Sequence, residues 1–309
     1  MQDYNMLLDR YLDNCKADGQ SALSLKAYEI HARKYLSFCV GAGADPCQTA
    51  AVYAYKAHLA RAGLKLGTIA TYLSYIRGFF AYAVSAGAVA ANPVTDAVYP
   101  PAKALRAERK PYAHLMGQED IRALVACLRP AHTRDKTALR NRAMVLMLIG
   151  CGLRNTELRT IKPQNLFFGE GGRCEVYSGK GGKYRLTTFP AFAQEAVRAY
   201  MAHGRPAGLT DGDLLFGVGD TAREWHEIER SNLSIMVERY VKSATGFDGA
   251  KTHALRHAYA SLLLSDGVKV QEIQALLGHS SIATTQRYAE LLRPDAPVAS
   301  ANAVFAAAL

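Results

Sequence analysis

The stretch HALRHAYASLLLSDGVKVQEIQALLGHSSIATTQRYAE, residues 253–290, decides the fold of the second half of the chain. Apolar residues recur there at helical spacing, which predicts three helices: Thr252–Ser265, Val270–Leu277 and Ile282–Leu291. The stretch also carries four side chains that can bind an anion or transfer a proton: His253, Arg256, His279 and Tyr288. His253 and Arg256 are three residues apart, so a helix points both in the same direction.

Two further cations lie upstream of this stretch. Arg154 lies in CGLRNTEL, residues 151–158, and Lys180 lies in SGKGGKYR, residues 178–185. Short segments rich in β-forming residues alternate with Gly-rich turns over residues 165–190, which predicts a small antiparallel sheet of about three strands. Helical patterns surround this sheet: residues 117–124, 142–149, 192–203 and 230–243. The expected fold is mainly α with a small antiparallel β-sheet.

The first hundred residues carry helical patterns joined by short loops. One helix is predicted over Ser24–Phe38, with Ser24 as its N-cap, and another over Thr68–Ala86, ended by Gly87. The stretch PPAKALRAERKP, residues 100–111, is polar, basic and flanked by prolines, which indicates a linker rather than a plain surface loop. The predicted organisation is a helical domain, a linker, a mixed α+β domain and a tail: residues 1–98, 99–112, 113–297 and 298–309.

The composition favours a globular, basic protein. The 309 residues include 37 Lys and Arg against 27 Asp and Glu, a net charge of +10. Such a surplus attracts polyanions, nucleic acid before anionic membranes, although a basic enzyme without such a partner has the same charge. The longest apolar run, residues 143–152, is too short to cross a bilayer, and the start of the chain has no signal-peptide pattern. Six scattered cysteines indicate reduced thiols, so a cytoplasmic protein is expected.

Three common site motifs are excluded by the residues that surround them in the sequence. His253 and His257 have the spacing of a zinc site, but Arg256 lies between them and no general-base Glu accompanies them. Residues 217–222 resemble part of a dinucleotide-binding loop without the required following helix, and residues 179–181 lack the Ser or Thr of a P-loop. No metal ion and no cofactor are therefore predicted.

Six residues occur in the order and spacing of a known family: Arg154, Lys180, His253, Arg256, His279 and Tyr288. Lys180 follows Arg154 by 26 residues, His279 follows Arg256 by 23 and Tyr288 follows His279 by nine. Over residues 151–290 the chain resembles the tyrosine recombinases, which are the phage integrases and Xer-type recombinases. The resemblance implies a helical core-DNA-binding domain followed by a mixed α+β catalytic domain.

The resemblance implies a role for each of the six. Arg154 and Arg256 would hold the non-bridging phosphate oxygens, and His253 and His279 would contact the same oxygens. Tyr288 would attack the phosphorus and form a 3′-phosphotyrosyl link, and Lys180 would protonate the leaving 5′ oxygen. Arginines replace the metal ion and the covalent link conserves the bond energy, so neither metal nor ATP is expected.

Other residues have less specific expectations. Glu157 is predicted to orient an active-site cation, with a plain helix salt bridge as the alternative, and His257 to support the site. Seven cations are candidates for DNA phosphate contacts, each with a solvated surface charge as its alternative: Lys26, Arg33, Lys34, Lys65, Arg77, Lys183 and Arg185. The uncharged tail, residues 298–309, resembles a segment that recombinases dock into a neighbouring protomer, though it could fold back on its own domain.

The predicted function is a site-specific recombinase or integrase, of Xer type or from a mobile element. Its expected partners are double-stranded DNA core sites, with a monomer in solution, a homotetramer on paired DNA sites, and no membrane. It is expected in the cytoplasm, associated with the nucleoid. Two alternatives remain: a type IB topoisomerase-like relaxing enzyme, and a non-catalytic DNA-binding protein on the same scaffold.

Overall fold

The computed structural model describes residues 3–108, 116–128, 133–178 and 183–278, without the side chains of Arg106, Ser178 and Lys183. The chain divides into two compact units, Met1–Pro111 and Tyr112–Leu309. Within the described ranges, no helix is long and apolar enough to cross a membrane.

Five helices make up the described part of the first unit: α1 Tyr4–Ala17, α2 Ala22–Gly41, α3 Thr49–Arg61, α4 Leu66–Ser85 and α5 Ala102–Glu108. The core lies along α4, whose Ile69, Leu73, Ile76 and Phe80 are fully buried. These residues recur every three or four positions, so one face of α4 meets α1, α2 and α3. Fully buried Tyr35 of α2 packs edge-on against Phe80.

One local expectation, the start of α2, is corrected in this unit. The N-cap of α2 lies three residues earlier than predicted, because Ser21 rather than Ser24 takes this role and its Oγ accepts a hydrogen bond from the Ser24 amide. The stretch predicted as a linker contains α5, and the Glu108 carboxylate accepts hydrogen bonds from the amides of Leu66 and Gly67. This contact caps α4 and attaches α5 to the first unit. The predicted boundaries at residues 98, 112 and 297 stay predictions.

The described part of the second unit contains seven helices and a three-stranded sheet. The helices are α6 Gln118–Cys127, α7 Lys136–Cys151, α8 Asn155–Thr160, α9 Ala191–His203, α10 Arg230–Thr245, α11 Thr252–Ser265 and α12 Val270–Leu277. The strands are β1 Leu166–Phe167, β2 Arg173–Ser178 and β3 Lys183–Thr188, antiparallel in the order β1-β2-β3. The predicted fold class, mainly α with a small antiparallel sheet, is confirmed.

The core of the second unit surrounds the C-terminal half of α7, residues 143–151, which is apolar on all sides. Residues 143–151 of α7 are all buried, between α9 on one side and α11 on the other. Strand β3 is attached to the end of this helix, because the hydroxyls of Thr187 and Thr188 donate to the carbonyls of Cys151 and Gly150 at 2.9 and 2.7 Å. The sheet is therefore fixed to the C-terminus of α7, where the chain continues to Arg154.

Helix α7 ends at Gly152, which has a left-handed backbone with φ of 59°. A Cβ at this position would lie 2.5 Å from Cδ1 of Tyr259. Replacing Gly152 by alanine is therefore expected to lower the free energy of unfolding of this unit by about 3 kcal/mol, from backbone strain and overpacking together. Trp225 is the single tryptophan of the chain and lies in this unit, so urea unfolding followed by its fluorescence is the measurement.

The matched control is Gly246→Ala, at the end of α10. Gly246 has a similar φ of 77°, but a Cβ there would meet nothing within 4 Å. The free energy of unfolding of this variant should fall by only about 1 kcal/mol, which is the cost of the backbone conformation alone. Equal losses in the two variants would show that contact with Tyr259 does not matter.

Candidate active site

A single buried carboxylate, that of Glu157, organises the site. Its side chain is 4 % exposed and lies on the first turn of α8. Its two oxygens accept hydrogen bonds from the two terminal nitrogens of Arg185, each at 2.7 Å, in a bidentate pair. They also accept the backbone amide and the side chain of Arg154, again at 2.7 Å. Arg256 approaches to 3.8 Å, so three guanidiniums surround one carboxylate.

Arg154 and Arg256 reach this carboxylate from different elements. Arg154 is the N-cap of α8, so the tight turn after Gly152 brings its side chain back over Glu157. Arg256 lies in the first turns of α11, and its side chain donates to the carbonyl of Gly152. The Arg154 side chain is 34 % exposed, whereas that of Arg256 is 4 % exposed. The face of the cluster that a ligand can reach is therefore the Arg154 side.

The same three guanidiniums bind the C-terminal end of α12. Arg185 donates to the Leu276 carbonyl, Arg256 to the Leu277 carbonyl and Arg154 to the Gly278 carbonyl. Gly278 ends the helix in a left-handed conformation with φ of 63°. The last carbonyls of a helix have no partner within it and carry its partial negative charge, so cations are favourable there.

The charges keep Glu157 ionised. Burial alone would raise its pKa, but the hydrogen bonds and charge of Arg185, followed by the bonds from Arg154, lower the pKa to about 2. Three guanidiniums and one carboxylate leave two net positive charges in a site largely shielded from water. Such an arrangement favours an anion with two negative charges.

His253 lies beside this cluster, on the first turn of α11, and is exposed. Partial desolvation lowers the pKa of His253 first, and the positive charges of Arg256, Arg230 and Arg154 lower it further. The ring is therefore biased towards its neutral form, which can accept a proton. His257 is half-buried one turn later, with its ring centroid 6.5 Å from that of His253.

The structure thus brings together four of the residues singled out in the sequence, namely Arg154, Glu157, His253 and Arg256. Lys180, His279 and Tyr288 lie outside the described residues. Glu157 forms a salt bridge with Arg154 and lies close to Arg256, the two arginines predicted to hold the phosphate. Within the described ranges no cluster of three or more His, Cys, Asp or Glu could hold a metal ion.

The position of Arg185 does not suit the contact with DNA that was predicted for it. Its side chain is 8 % exposed and its three nitrogens are bound to Glu157 and to the Leu276 carbonyl. A phosphate contact requires an accessible guanidinium, whereas this one is buried within the second unit. Sequence reasoning placed Arg185 beside the Gly-rich turn and missed its position on the inner face of β3.

The other candidate DNA contacts stay predictions. Lys26, Lys34 and Lys65 are exposed on the first unit. Arg33 forms ion pairs with Asp9 and Glu29, and Arg77 forms one with Asp96, so a phosphate would compete with carboxylates for these two arginines. The side chain of Lys183 lies outside the described residues.

Comparison with known proteins identifies the family. The model of the phage integrase family matches residues 115–293, and that of the phage integrase N-terminal SAM-like domain matches residues 8–87. Tyrosine recombinase XerC of Mycobacterium bovis is 31% identical over 274 residues, covering 87% of this chain and 88% of XerC. Tyrosine recombinase XerA of Thermococcus kodakarensis is 27% identical over 291 residues, covering 94% of this chain and 93% of XerA.

The fold agrees with these matches. The XerH site-specific recombinase, solved in a post-cleavage complex with a palindromic difH substrate, has a TM-score of 0.69 to this chain at 20% identity. The similarity covers 92% of this chain and 81% of XerH. The family predicted from the six spaced residues is confirmed, and with it the general function. The chain belongs to the phage integrase family and is a site-specific tyrosine recombinase.

Proposed function

We propose that this protein cuts and rejoins duplex DNA through a transient 3′-phosphotyrosyl link formed by Tyr288. The observation that supports this most is the guanidinium cluster around Glu157, with His253 beside it. A phosphodiester carries one negative charge, and its pentacoordinate transition state gathers about one more. The two net positive charges of the cluster match that state better than they match the ground state. Such differential binding lowers a reaction barrier.

Each described residue has a role in this proposal. Arg154, the most exposed of the three guanidiniums, contacts the non-bridging oxygens of the phosphate. Arg256 is buried behind it and adds its charge and its hold on the Gly152 carbonyl. His253, biased towards the neutral form, accepts the phenol proton as the Tyr288 oxygen attacks.

The remaining roles fall on residues outside the described ranges. The new bond joins the phenol oxygen of Tyr288 to phosphorus as the bond from phosphorus to the 5′ oxygen breaks. Lys180 donates a proton to that leaving oxygen, and His279 donates a hydrogen bond to the phosphate. In the reverse direction a 5′ hydroxyl of another strand attacks the phosphotyrosine, which restores the phenol and a phosphodiester.

The proposal requires neither a metal ion nor ATP. The guanidiniums supply the positive charge that a divalent cation supplies in many phosphoryl-transfer sites. The phosphotyrosyl bond conserves the energy of the phosphodiester, so religation needs no further source.

Duplex DNA is the proposed partner. We place a homotetramer on two paired core sites, formed from monomers in solution, with residues 298–309 docking into a neighbouring protomer. Membership of a recombinase family favours this strand exchange over topoisomerase-like relaxation and over binding without cleavage.

A nicked suicide substrate tests the proposal. The wild type should form a covalent protein–DNA adduct, seen on a denaturing gel, in the presence of EDTA and without ATP. Digestion of the adduct should leave a nucleotide on the peptide that contains Tyr288, detectable by mass spectrometry. Absence of an adduct would overturn the proposed chemistry, and an adduct that requires a divalent cation would overturn its metal independence.

A further inference from the structure

The inner face of β3 carries a buried arginine whose charge belongs to the cluster but which contacts no reacting atom in the proposed chemistry. Register pairs Arg185 with Val176 and Thr187 with Cys174 across β2, so these four residues share the face that points into the unit. All four are buried, Arg185 at 9 % exposed. A charge this deep is stable only when its partners satisfy it, and Arg185 has both oxygens of Glu157 and a carbonyl of α12.

These contacts make Arg185 a bridge between two parts of the site. Its two terminal nitrogens fix the plane of the Glu157 carboxylate, whose oxygens also hold the backbone and side chain of Arg154. Its Nε binds the Leu276 carbonyl at 2.8 Å, one residue before the end of α12. The chain continues from Gly278 directly into His279.

We propose that Arg185 is a positioning residue for strand cleavage, which orients Arg154 through Glu157 and fixes the end of α12 that leads into His279. The inference rests on the proposed function. Only a planar guanidinium can make a bidentate pair and a third hydrogen bond in a different direction. Lysine keeps the charge but loses this geometry, so Arg185→Lys separates positioning from electrostatics.

The same unit offers a matched control. Arg159 on α8 also binds one carboxylate, that of Glu227, and donates through Nε to one carbonyl, that of Ile228. Its side chain is 15 % exposed. Neither partner belongs to the cluster around Glu157, so Arg159→Lys removes one ion pair and one hydrogen bond, a smaller set than that of Arg185, without touching the site.

The experiment measures cleavage of the suicide substrate in a single turnover, at saturating protein and below the unfolding midpoint of each variant. Both lysine variants should unfold earlier by Trp225 fluorescence. Arg185→Lys should cleave about 100-fold more slowly, as expected for a misplaced catalytic group, with DNA affinity close to that of the wild type. Arg159→Lys should cleave at the wild-type rate.

A second variant disturbs Arg185 without replacing it. A Cβ at Gly278 would lie 2.9 Å from Cδ of Arg185, at a backbone φ of 63° that also disfavours alanine. Gly278→Ala should therefore displace Arg185 and slow cleavage, and normal cleavage by this variant would overturn the inference should Arg185→Lys fail to fold.

The outcomes are distinct. If the wild type forms the adduct and Arg185→Lys cleaves at the normal rate, the inference is overturned while the proposed function stands. If Arg185→Lys does not fold, normal cleavage by Gly278→Ala has the same meaning. Equal slowing in Arg185→Lys and Arg159→Lys assigns the effect to stability and overturns it as well. A wild type that forms no adduct overturns the proposed function, and this inference with it.

Discussion

Replacing Tyr288 by phenylalanine is expected to abolish the covalent adduct with DNA while leaving DNA binding intact. The variant lacks only the oxygen that would form the bond to phosphorus. Phenylalanine and neutral tyrosine carry the same charge, and the variant keeps Arg154, Glu157 and Arg256, so the charge that attracts the phosphate is unchanged. A denaturing gel measures the adduct, and a native gel shift measures binding.

Tyr240→Phe is the matched control. Tyr240 lies half-buried on α10 of the same unit and loses the same single oxygen. It should form the adduct at the wild-type yield. A wild-type yield of adduct from Tyr288→Phe would remove Tyr288 as the nucleophile.

Replacing Glu157 by glutamine is expected to cost about 3–5 kcal/mol of unfolding free energy in the second unit. Three guanidiniums would lose their common anion, and an amide cannot accept the bidentate pair of Arg185 on both of its atoms. Cleavage should fall by about 100-fold even where the protein is folded, because Arg154 loses its orientation. Urea unfolding by Trp225 fluorescence and single-turnover cleavage are the two measurements.

The stability difference between wild type and Glu157→Gln should depend on pH. The pKa of Glu157 is lowered from 4.5 to about 2 in the folded protein, so its stabilisation is complete above pH 4.5 and is lost as the pH falls towards 2. Glutamine does not titrate. The difference should therefore shrink by about 3 kcal/mol between pH 5 and pH 2, while the contributions of other carboxylates cancel.

Glu227→Gln provides the comparison for this prediction. Glu227 also pairs with an arginine, Arg159, but its side chain is 41 % exposed. A half-exposed ion pair contributes little, so this variant should lose less than about 1 kcal/mol. A loss in Glu157→Gln as small as that in Glu227→Gln would contradict the central role given to the buried carboxylate.

Helix positions in this chain follow from apolar periodicity. The predicted segments Thr252–Ser265 and Val270–Leu277 coincide with α11 and α12. A helix that is buried on one face has apolar residues at helical spacing, and this periodicity can be seen in the sequence without knowledge of tertiary contacts. The helix ends are harder to predict. Ser24 and Ser21 are both suitable N-cap residues, and only the backbone conformation decides between them.

Arg185 shows where sequence reasoning failed. In β3 the apolar residues Tyr184 and Leu186 alternate with Arg185 and Thr187, so the usual rule places the apolar pair inside. The structure does the opposite, with Tyr184 51% exposed and Arg185 buried. The inward position of Arg185 is accompanied by a bidentate pair with the buried Glu157 carboxylate, which an outward-facing arginine would leave without this partner. The partner strand carried a usable signal, since Cys174 and Val176 face inwards opposite Thr187 and Arg185.

The attachment of α12 was beyond prediction for a different reason. Its acceptors are the carbonyls of Leu276, Leu277 and Gly278, and every residue type has a carbonyl. No pattern of side chains marks three main-chain atoms as ligands of three guanidiniums.

Because the acceptors are main-chain atoms, the two sides of this attachment differ in how well they tolerate mutation. Exchanging Leu276 for another aliphatic residue leaves its carbonyl in place, so sequence drift along the last turn of α12 is cheap. The donors have no such freedom, because each guanidinium belongs to a single arginine side chain and is lost in any substitution of that residue. A saturation scan should accordingly find intolerant positions at the three arginines and permissive ones at residue 276, although all of them meet in the same few hydrogen bonds.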